Sequence, residues 1–281
     1  MEEIAKNIFL ESGYPGVVLG VLQLSKGVLL IDAPFRLQDV QDWSQKIGAL
    51  YGNADKLLVM LDAHIDRALG IRAMGLTVLG HQNAVNIMGN RPTMARAQDM
   101  DAGAEWEPYE LPANIHWAAP DISYTNQMCL HWDERPVEIS HQPGSHYAGS
   151  WVRYDASKVI FVGDSLVLHQ PPFLAWSDLD RWIEELTWLG SDTFRGYKII
   201  TSRNGIVRRR SIARMIAFLT QVKILLADLA GQQQRHDAIN DVVPALLRKF
   251  SFDRTHLEVY KNRLVWGLDQ YLQRHYPKVR V

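Results

Sequence analysis

One short polar segment that directly follows an apolar run limits the folds open to this chain more than any other feature. Residues 56–61 have the sequence Lys-Leu-Leu-Val-Met-Leu, which is typical of a buried strand. The next six residues include Asp62, His64, Asp66 and Arg67, which are three metal-ligand side chains and one cation. We call residues 61–70 the Asp/His segment. Because a turn at a strand end can direct several closely spaced side chains into one cleft, this segment predicts a functional site.

The rest of the chain alternates between patterns of strand and helix. Strands are predicted over residues 16–24, 28–33, 57–61, 76–79, 129–132, 137–141, 151–154, 158–162 and, as the last strand, 197–201. Helices are predicted over residues 37–50, 81–88, 178–190, 212–226, 236–249 and 254–274, with a short helix after the Asp/His segment. Residues 90–113, with their prolines, glycines and charges, predict a loop or an inserted cover. Two halves in which helices separate strands predict an αββα sandwich with a helical C-terminus.

Two glycine-containing segments downstream complete the pattern. Residues 143–150 are Pro-Gly-Ser-His-Tyr-Ala-Gly-Ser, and residues 161–165 are Phe-Val-Gly-Asp-Ser. Together with the Asp/His segment, they resemble the metal-binding motifs of the metallo-β-lactamase fold superfamily. The resemblance implies an α/β fold, with an αββα sandwich over residues 1–205. It leaves residues 206–281 as a helical C-terminal extension packed on the same domain.

The resemblance implies a first metal site built from Asp62, His64 and His146. His64 keeps a family histidine, Asp62 stands where the family has another, and His146 matches the histidine of the middle motif. Two imidazoles and one carboxylate can hold a zinc ion with a position left for water, and the same set suits Fe(II). The expected cofactor is therefore one divalent metal, zinc ahead of iron or manganese, and a metal-free site is the alternative.

The second metal site of the family is altered in this sequence. Asp66 and Asp164 keep their family positions, but Arg67 replaces a histidine, and Asn204, next to Arg203, replaces the last one. A guanidinium group offers only donors and keeps its charge, so it repels a dication. We interpret Arg67 as a cation that pairs with Asp66 and Asp164 in place of the second metal. If the side chain of Arg203 pointed into the cleft, its positive charge would compensate the carboxylates and make a metal-free cleft possible.

Two classes of function are compatible with these residues. In a single-metal hydrolase acting on an ester, thioester, lactone or phosphoester, the metal would lower the pKa of a bound water. Asp66 or Asp164 would orient that water or take its proton, and Arg67 would stabilise an oxyanion. The alternative is a non-catalytic module without catalytic metal that binds a ligand or protein on the same fold, because three of the seven ligand positions have changed. The expected partner is a small molecule. It could be anionic because the C-terminal part of the chain is basic.

Charge and composition indicate the compartment and the partners. Residues 195–281 hold 17 Lys and Arg against six acidic residues, a net charge of +11, while residues 1–194 carry −12. This asymmetry predicts that the C-terminal helices dock near the cleft and the loop at 90–113. The run Arg208-Arg-Arg210 opens the C-terminal helix and is interpreted as a solvated face. One cysteine, Cys129, and no apolar run of about 18 residues predict a soluble cytoplasmic protein with no membrane segment. The sequence disfavours a nucleic-acid partner. A homo-oligomer is possible.

Overall fold

The predicted strands and helices assemble into two stacked β-sheets with helices on both outer faces. A computed structural model describes residues 1–90, 102–109, 117, 119–232 and 234–277 of the chain. Within these residues the predicted α/β sandwich with C-terminal helices is confirmed. Most of the predicted loop at 90–113 lies outside the described residues.

Two sheets contain all the strands of the described residues. Seven strands form the first sheet in sequence order: β1 (Glu2–Ala5), β2 (Ile8–Glu11), β3 (Leu19–Leu24), β4 (Gly27–Ile31), β5 (Lys56–Val59), β6 (Thr77–His81) and β7 (Ile122–Tyr124). Six form the second sheet, listed from edge to edge: β13 (Gly205–Val207), β12 (Lys198–Thr201), β11 (Val159–Phe161), β10 (Ser150–Tyr154), β9 (Val137–His141) and β8 (Gln127–Leu130). Strands β4 to β7 are parallel, as are β11 and β12, so the carboxyl ends within each group meet at one edge of a sheet.

Helices cover the outer faces of the sheets. In the described residues they are α1 (Leu37–Tyr51), α2 (Ile65–Ala68), α3 (Gln82–Asn90), α4 (Leu179–Leu189), α5 (Arg210–Ala230), α6 (Arg235–Leu247) and α7 (Leu257–His275). None of these described helices has both the length and the apolar character that crossing a bilayer requires.

Alternating side chains divide the core into layers. Leu29 faces the apolar cluster between the sheets, whereas the adjacent Leu30 faces the cluster that α1 and α3 cover. In the second sheet Ile200 faces inward, and Ile199 faces the cluster formed with α4 and the C-terminal helices α5, α6 and α7. This period of two is the one expected for strands packed on both faces. The C-terminal helices thus bury their apolar sides on the second sheet.

Four strands were absent from the sequence prediction. Strands β1 and β2 form a hairpin that turns through Asn7 with a φ of 62°, and β7 has only three residues. Strand β13 pairs antiparallel with β12, so the prediction that the strand at 197–201 is the last was wrong. These strands are short, and β1 is largely exposed, so they lack the long apolar run that predicts a strand from sequence alone.

Candidate functional site

The Asp/His segment follows β5 and consists of a turn and the short helix α2. Four of its side chains are buried, with at most 2% of any of them exposed: Asp62, His64, Asp66 and Arg67. The carboxylate of Asp62 accepts a hydrogen bond of 2.9 Å from the backbone N–H of His64, two residues later. Aspartate commonly stabilises a turn in this way, which explains why the chain bends here and places the polar side chains together.

Three other segments bring residues to the same cleft. His146 lies between β9 and β10, and Asp164 lies in a single 3₁₀ turn after β11. Arg203 and Asn204 lie in the turn between β12 and β13. Because β11 and β12 are parallel neighbours, the segments that follow them emerge at the same sheet edge. The topology therefore brings Asp164 and Arg203 together although they are distant in sequence.

Arg67 lies at the centre of the cluster and has no exposed side-chain surface. Its Nη2 donates to Asp62 and lies 3.0 Å from Nδ1 of His64. Its Nη1 donates to Oδ1 of Asp164 at 3.1 Å, and its Nε lies 3.5 Å from Oδ2 of Asp32. One guanidinium therefore contacts two carboxylates and an imidazole within hydrogen-bonding distance, with a third carboxylate close by.

Arg203 holds the other side of the cluster, and its side chain is only 1% exposed. Its Nε donates to Oδ2 of Asp164 at 2.9 Å, and its Nη1 donates to Oδ2 of Asp66, also at 2.9 Å. The other oxygen of Asp66 accepts from the backbone N–H of Trp106 at 3.0 Å. Asp164 therefore binds one arginine on each of its oxygens, and Asp66 joins the cluster to residues 102–109.

The two arginines keep these buried carboxylates ionised. Burial alone would raise the pKa of Asp62, but the charge of Arg67 lowers that pKa well below its ordinary value. Burial likewise opposes ionisation of Asp164, yet Arg203 and Arg67 lower the pKa of that carboxyl to about 2. Burial also opposes the charge of Arg67 and Arg203, and Asp164 contributes most to raising the pKa of each above its ordinary value. Asp62, Asp164 and the two arginines are therefore charged at neutral pH.

Sequence reasoning missed Asp32, which lies at the end of β4 with a φ of 59°. Its carboxylate accepts hydrogen bonds from the backbone N–H of Leu61 at 2.9 Å and from the hydroxyl of Ser202 at 3.1 Å, so it joins the loops of both sheets. Burial raises the pKa of Asp32 to about 7, although the charge of Arg67 opposes this. The available signal was a carboxylate directly after an apolar strand, the same signal that identified Asp62.

A cavity of about 570 Å³ lies beside Arg203. Its polar lining includes Tyr14, Glu105, Gln170, Arg203, Asn204 and Tyr260. Tyr260 belongs to α7, and Arg263 on the same helix donates to the backbone oxygen of Gly103 at 2.7 Å. Helix α7 and residues 102–109 therefore form part of the wall, on the side where the charge asymmetry predicted that the C-terminal helices would dock.

Asn204 has a partner away from the ion cluster. Its side-chain oxygen accepts from the backbone N–H of Leu168 at 2.9 Å, which joins the turn after β12 to the segment after β11. This contact uses the carbonyl oxygen that an asparagine would offer to a metal.

Solved structures with the same arrangement identify the fold. The chain matches a metallo-β-lactamase from Pontibacter korlensis with a TM-score of 0.60 at 14% identity, over 78% of this chain and 97% of that chain. It matches a metallo-β-lactamase family protein from Thermus thermophilus with a TM-score of 0.66 at 15% identity, over 97% of this chain and 95% of that one. The chain has the metallo-β-lactamase fold.

A third structural relative has a different activity on the same fold. It is a stereoselective inverting sec-alkylsulfatase from Pseudomonas sp., matched with a TM-score of 0.68 at 14% identity over 99% of this chain and 50% of that one. No family model and no curated protein matches the sequence. At such low identity the matches show the metallo-β-lactamase fold, and the activity must be inferred from the cleft itself.

Arg67 contacts every member of the one group of side chains in the described residues that could hold a metal. Among the described residues, Asp62, His64 and Asp164 form the group that could hold a metal, with ligand atoms within 4.8 Å of one another. Each of the three contacts Arg67. A dication placed among them would meet a guanidinium of the same sign. The residues as placed therefore do not fit a metal ion while Arg67 stays where it is.

His146, the expected third ligand of the first site, is not a member of that group. Its ring lies 4.8 Å from the ring of His64, measured between centroids, and stacks on Tyr147. Its Nδ1 accepts a hydrogen bond of 3.0 Å from the backbone N–H of Ala148. This hydrogen bond engages the lone pair of Nδ1, which a metal at that nitrogen would need.

The ion pairs also differ from the predicted ones. The sequence predicts that Arg67 pairs with Asp66 and Asp164, but in the described residues it pairs with Asp32, Asp62 and Asp164. Asp66 is instead paired with Arg203. The reason is the helix α2, because consecutive residues on a helix point in different directions and do not face each other.

Proposed function

We propose that this protein is a metal-independent binding protein built on the metallo-β-lactamase fold. Two guanidinium groups, those of Arg67 and Arg203, stand in for the two metal ions of the family. The observation that supports this proposal is the set of simultaneous contacts that Arg67 makes to Asp62, His64 and Asp164. A metal could bind these three residues only after a fully buried arginine had left them.

The charge of the cleft supports the same proposal. Asp62, Asp66 and Asp164 carry three negative charges, and Arg67 and Arg203 supply two positive charges directly against them. Removing one partner of a buried ion pair is strongly unfavourable because it leaves an uncompensated charge in the interior. The arginines therefore offset two of these three negative charges, a role that metal ions have in the family.

The cavity beside Arg203 is the place where we expect a ligand. Nη2 of Arg203 is buried and has no hydrogen-bond partner among the described residues, so it can donate to a ligand oxygen without breaking an ion pair. Gln170 and Asn204 add amide groups, while Glu105 adds a carboxylate. One arginine together with two carboxylates, those of Glu2 and Glu105, favours a polar or zwitterionic small molecule over a strongly anionic one.

A second candidate function is the single-metal hydrolase predicted from the sequence. The observation that favours it is the grouping of Asp62, His64 and Asp164 in the described residues. If Arg67 moved away, two carboxylates and one imidazole could hold one metal, zinc ahead of iron or manganese. The bond cleaved would then be that of an ester, thioester, lactone or phosphoester.

The remaining sequence predictions belong to the proposal. We propose one domain in which residues 206–281 pack on the sandwich, a cytoplasmic location, and a small molecule as the partner. Strand β13 begins at Gly205 and continues past the predicted boundary, so the extension proper begins at α5.

Metal analysis of the protein separates the two candidates. The protein is produced in zinc-supplemented medium, dialysed against metal-free buffer and analysed for zinc, iron and manganese. We expect far less than one equivalent of any of them, and an unfolding temperature that a chelator does not change. One equivalent of metal that is lost in a His64→Ala variant would overturn the proposal. Hydrolysis of a chromogenic ester, lactone or phosphoester that depends on this metal would establish the hydrolase instead.

A further inference from the structure

A second cavity, of about 640 Å³, lies where β13 leads into α5. Four basic side chains line it: Arg208, Arg210, Arg214 and Lys249. The lining found in the described residues includes no aspartate or glutamate. Positive charges are therefore gathered around one concave surface without an acid among them.

These four cations also lack partners elsewhere. All four are exposed, and none forms an ion pair with an acidic residue of the described part of the chain. Other exposed basic residues of the protein are paired, for example Arg195 with Asp192 and Lys223 with Asp180. Charges of one sign held close together repel each other, so this surface is electrostatically unfavourable when it is empty.

The direction of α5 increases the unfavourable charge. This helix has 21 residues and begins at Arg210, so its positive dipole end points toward the cavity that Arg208 and Arg210 line. Cations are favourable at the C-terminus of a helix and unfavourable at its N-terminus, where anions are favoured. An anion in the cavity would neutralise both the arginines and the helix end.

The floor of the same cavity is apolar. Met215 and Phe218 of α5 are buried, and Phe218 packs edge-to-face against Phe250 with 4.9 Å between ring centroids. Leu168 and Ile206 extend the apolar surface. A ligand that fills this cavity therefore needs an apolar body as well as a charged group.

We propose that this cavity binds an amphiphilic organic anion, with a phosphate, sulfate or carboxylate head against the basic rim and a hydrocarbon body on the apolar floor. The proposal is independent of the cleft at Arg67, because none of the residues in the ion cluster lines this cavity. Ile206 lines both cavities, so the two sites are neighbours across β13.

Isothermal titration calorimetry with n-octyl phosphate, kept below the concentration at which it aggregates, tests the proposal directly. We expect saturable binding of one molecule per chain that weakens as the salt concentration rises, because salt screens exposed charges. Inorganic phosphate and n-octanol each carry half of the required chemistry, and each should bind roughly tenfold or more weakly. Vesicles of anionic phospholipid serve to distinguish a membrane surface from a single amphiphile.

Two pairs of variants locate the binding. The double variant Arg210→Gln/Arg214→Gln should lose roughly tenfold or more in affinity, since it removes two charged hydrogen-bond donors. Its control, Arg248→Gln/Arg254→Gln, changes the net charge equally but outside the cavity, and should bind as the parent does. Ala217→Glu places a negative charge on an exposed lining position of α5, whereas Ala213→Glu places it on an exposed position of the same helix outside the lining. Only the change at position 217 should weaken binding.

The unfolding temperature of each variant is measured to establish that the proteins compared are all folded. Equal affinity in the two double variants would overturn the proposal, as would n-octanol binding as tightly as n-octyl phosphate. Binding to anionic vesicles but not to monomeric n-octyl phosphate would replace it with a membrane-surface role. Metal content is not measured in this experiment, so its result does not depend on the function proposed for the cleft.

Discussion

The two basic sites of this protein use arginine in opposite ways. In the cleft, Arg67 and Arg203 are buried, and each lies against two carboxylates at hydrogen-bonding distance. At the start of α5, Arg210 and Arg214 are exposed and line a cavity without an acidic residue in its described lining. Buried arginines that are ion-paired with carboxylates stabilise the native structure, whereas exposed arginines without an acidic partner leave their charge to a ligand. Neither arginine content nor net charge distinguishes these two roles.

Removing the central arginine of the cleft should have the largest effect. Arg67→Met leaves the buried Asp62 without an arginine partner and Asp164 with Arg203 alone, so we expect the free energy of unfolding to fall by about 3–5 kcal/mol. Urea unfolding measures this loss. The control is Arg195→Met, whose exposed pair with Asp192 should contribute less than about 1 kcal/mol. Equal stability of Arg67→Met and the parent would contradict the structural role of the buried arginines.

A histidine at the same position should make stability depend on metal. Arg67→His removes the guanidinium from Asp62, His64 and Asp164 and adds an imidazole, which is a zinc ligand. We expect zinc at about 100 times its dissociation constant to restore roughly 2.7 kcal/mol to this variant. The parent protein, titrated in parallel by thermal unfolding, should not respond. Stabilisation of the parent by the same zinc concentration would show that its arginine does not block the site.

Lowering the pH should destabilise the folded protein over a predictable range, because Asp164 in the cleft becomes protonated. The pKa of Asp164 is lowered from 3.8 to about 2 in the folded protein, so its ionised form contributes stability that is complete above pH 3.8. This contribution, about 2 kcal/mol, is lost as the pH falls through the range between the two values. Carboxyl ¹³C NMR, with Asp164→Asn for assignment, measures the titration. A midpoint at or above the ordinary value of aspartate would mean that the arginines do not hold this carboxyl.

The smallest effect on stability is expected at the exposed site at the start of α5. There the substitution should increase the stability of the protein rather than decrease it. Arg210→Gln relieves repulsion among unpaired cations at a helix N-terminus, so it should raise the free energy of unfolding by about 0.3–1 kcal/mol at low salt. The increase should disappear at high salt, which screens exposed charges. Urea unfolding at two salt concentrations measures both effects. A loss of stability at low salt would indicate that Arg210 has a structural partner.

The sequence predicts a helix or strand of this chain well where the apolar residues of that element alone form a clear pattern. The stripe of apolar residues in α5 and the apolar run of β5 each contain enough pattern to be recognised alone. Strand β13 has three residues and pairs with β12, while β1 depends on its hairpin partner β2. Such strands are stabilised by neighbours rather than by their own composition, and a local pattern cannot reveal them.

The sequence predicts which residues form the cleft more readily than it predicts which of them pair with each other. Asp62, His64, Asp164 and Arg203 were all identified from motif positions, and the structure brings them together. Which carboxylate each arginine binds depends on side-chain directions and on a partner 97 residues away, as for Arg67 and Asp164. His146 lies near the cluster, but the backbone N–H of Ala148 occupies its Nδ1, a contact that no spacing rule would predict.

The position of Asp164 between two arginines restricts how this protein can evolve. Each oxygen of its carboxylate is bound by a different guanidinium. Replacing either arginine alone leaves a buried aspartate short of one partner, so each single substitution of Arg67 or Arg203 should give a less stable protein. A sequence that loses one of these arginines is therefore at a disadvantage until a second replacement or a bound metal compensates the lost charge. The bridge thus favours the retention of both arginines across generations.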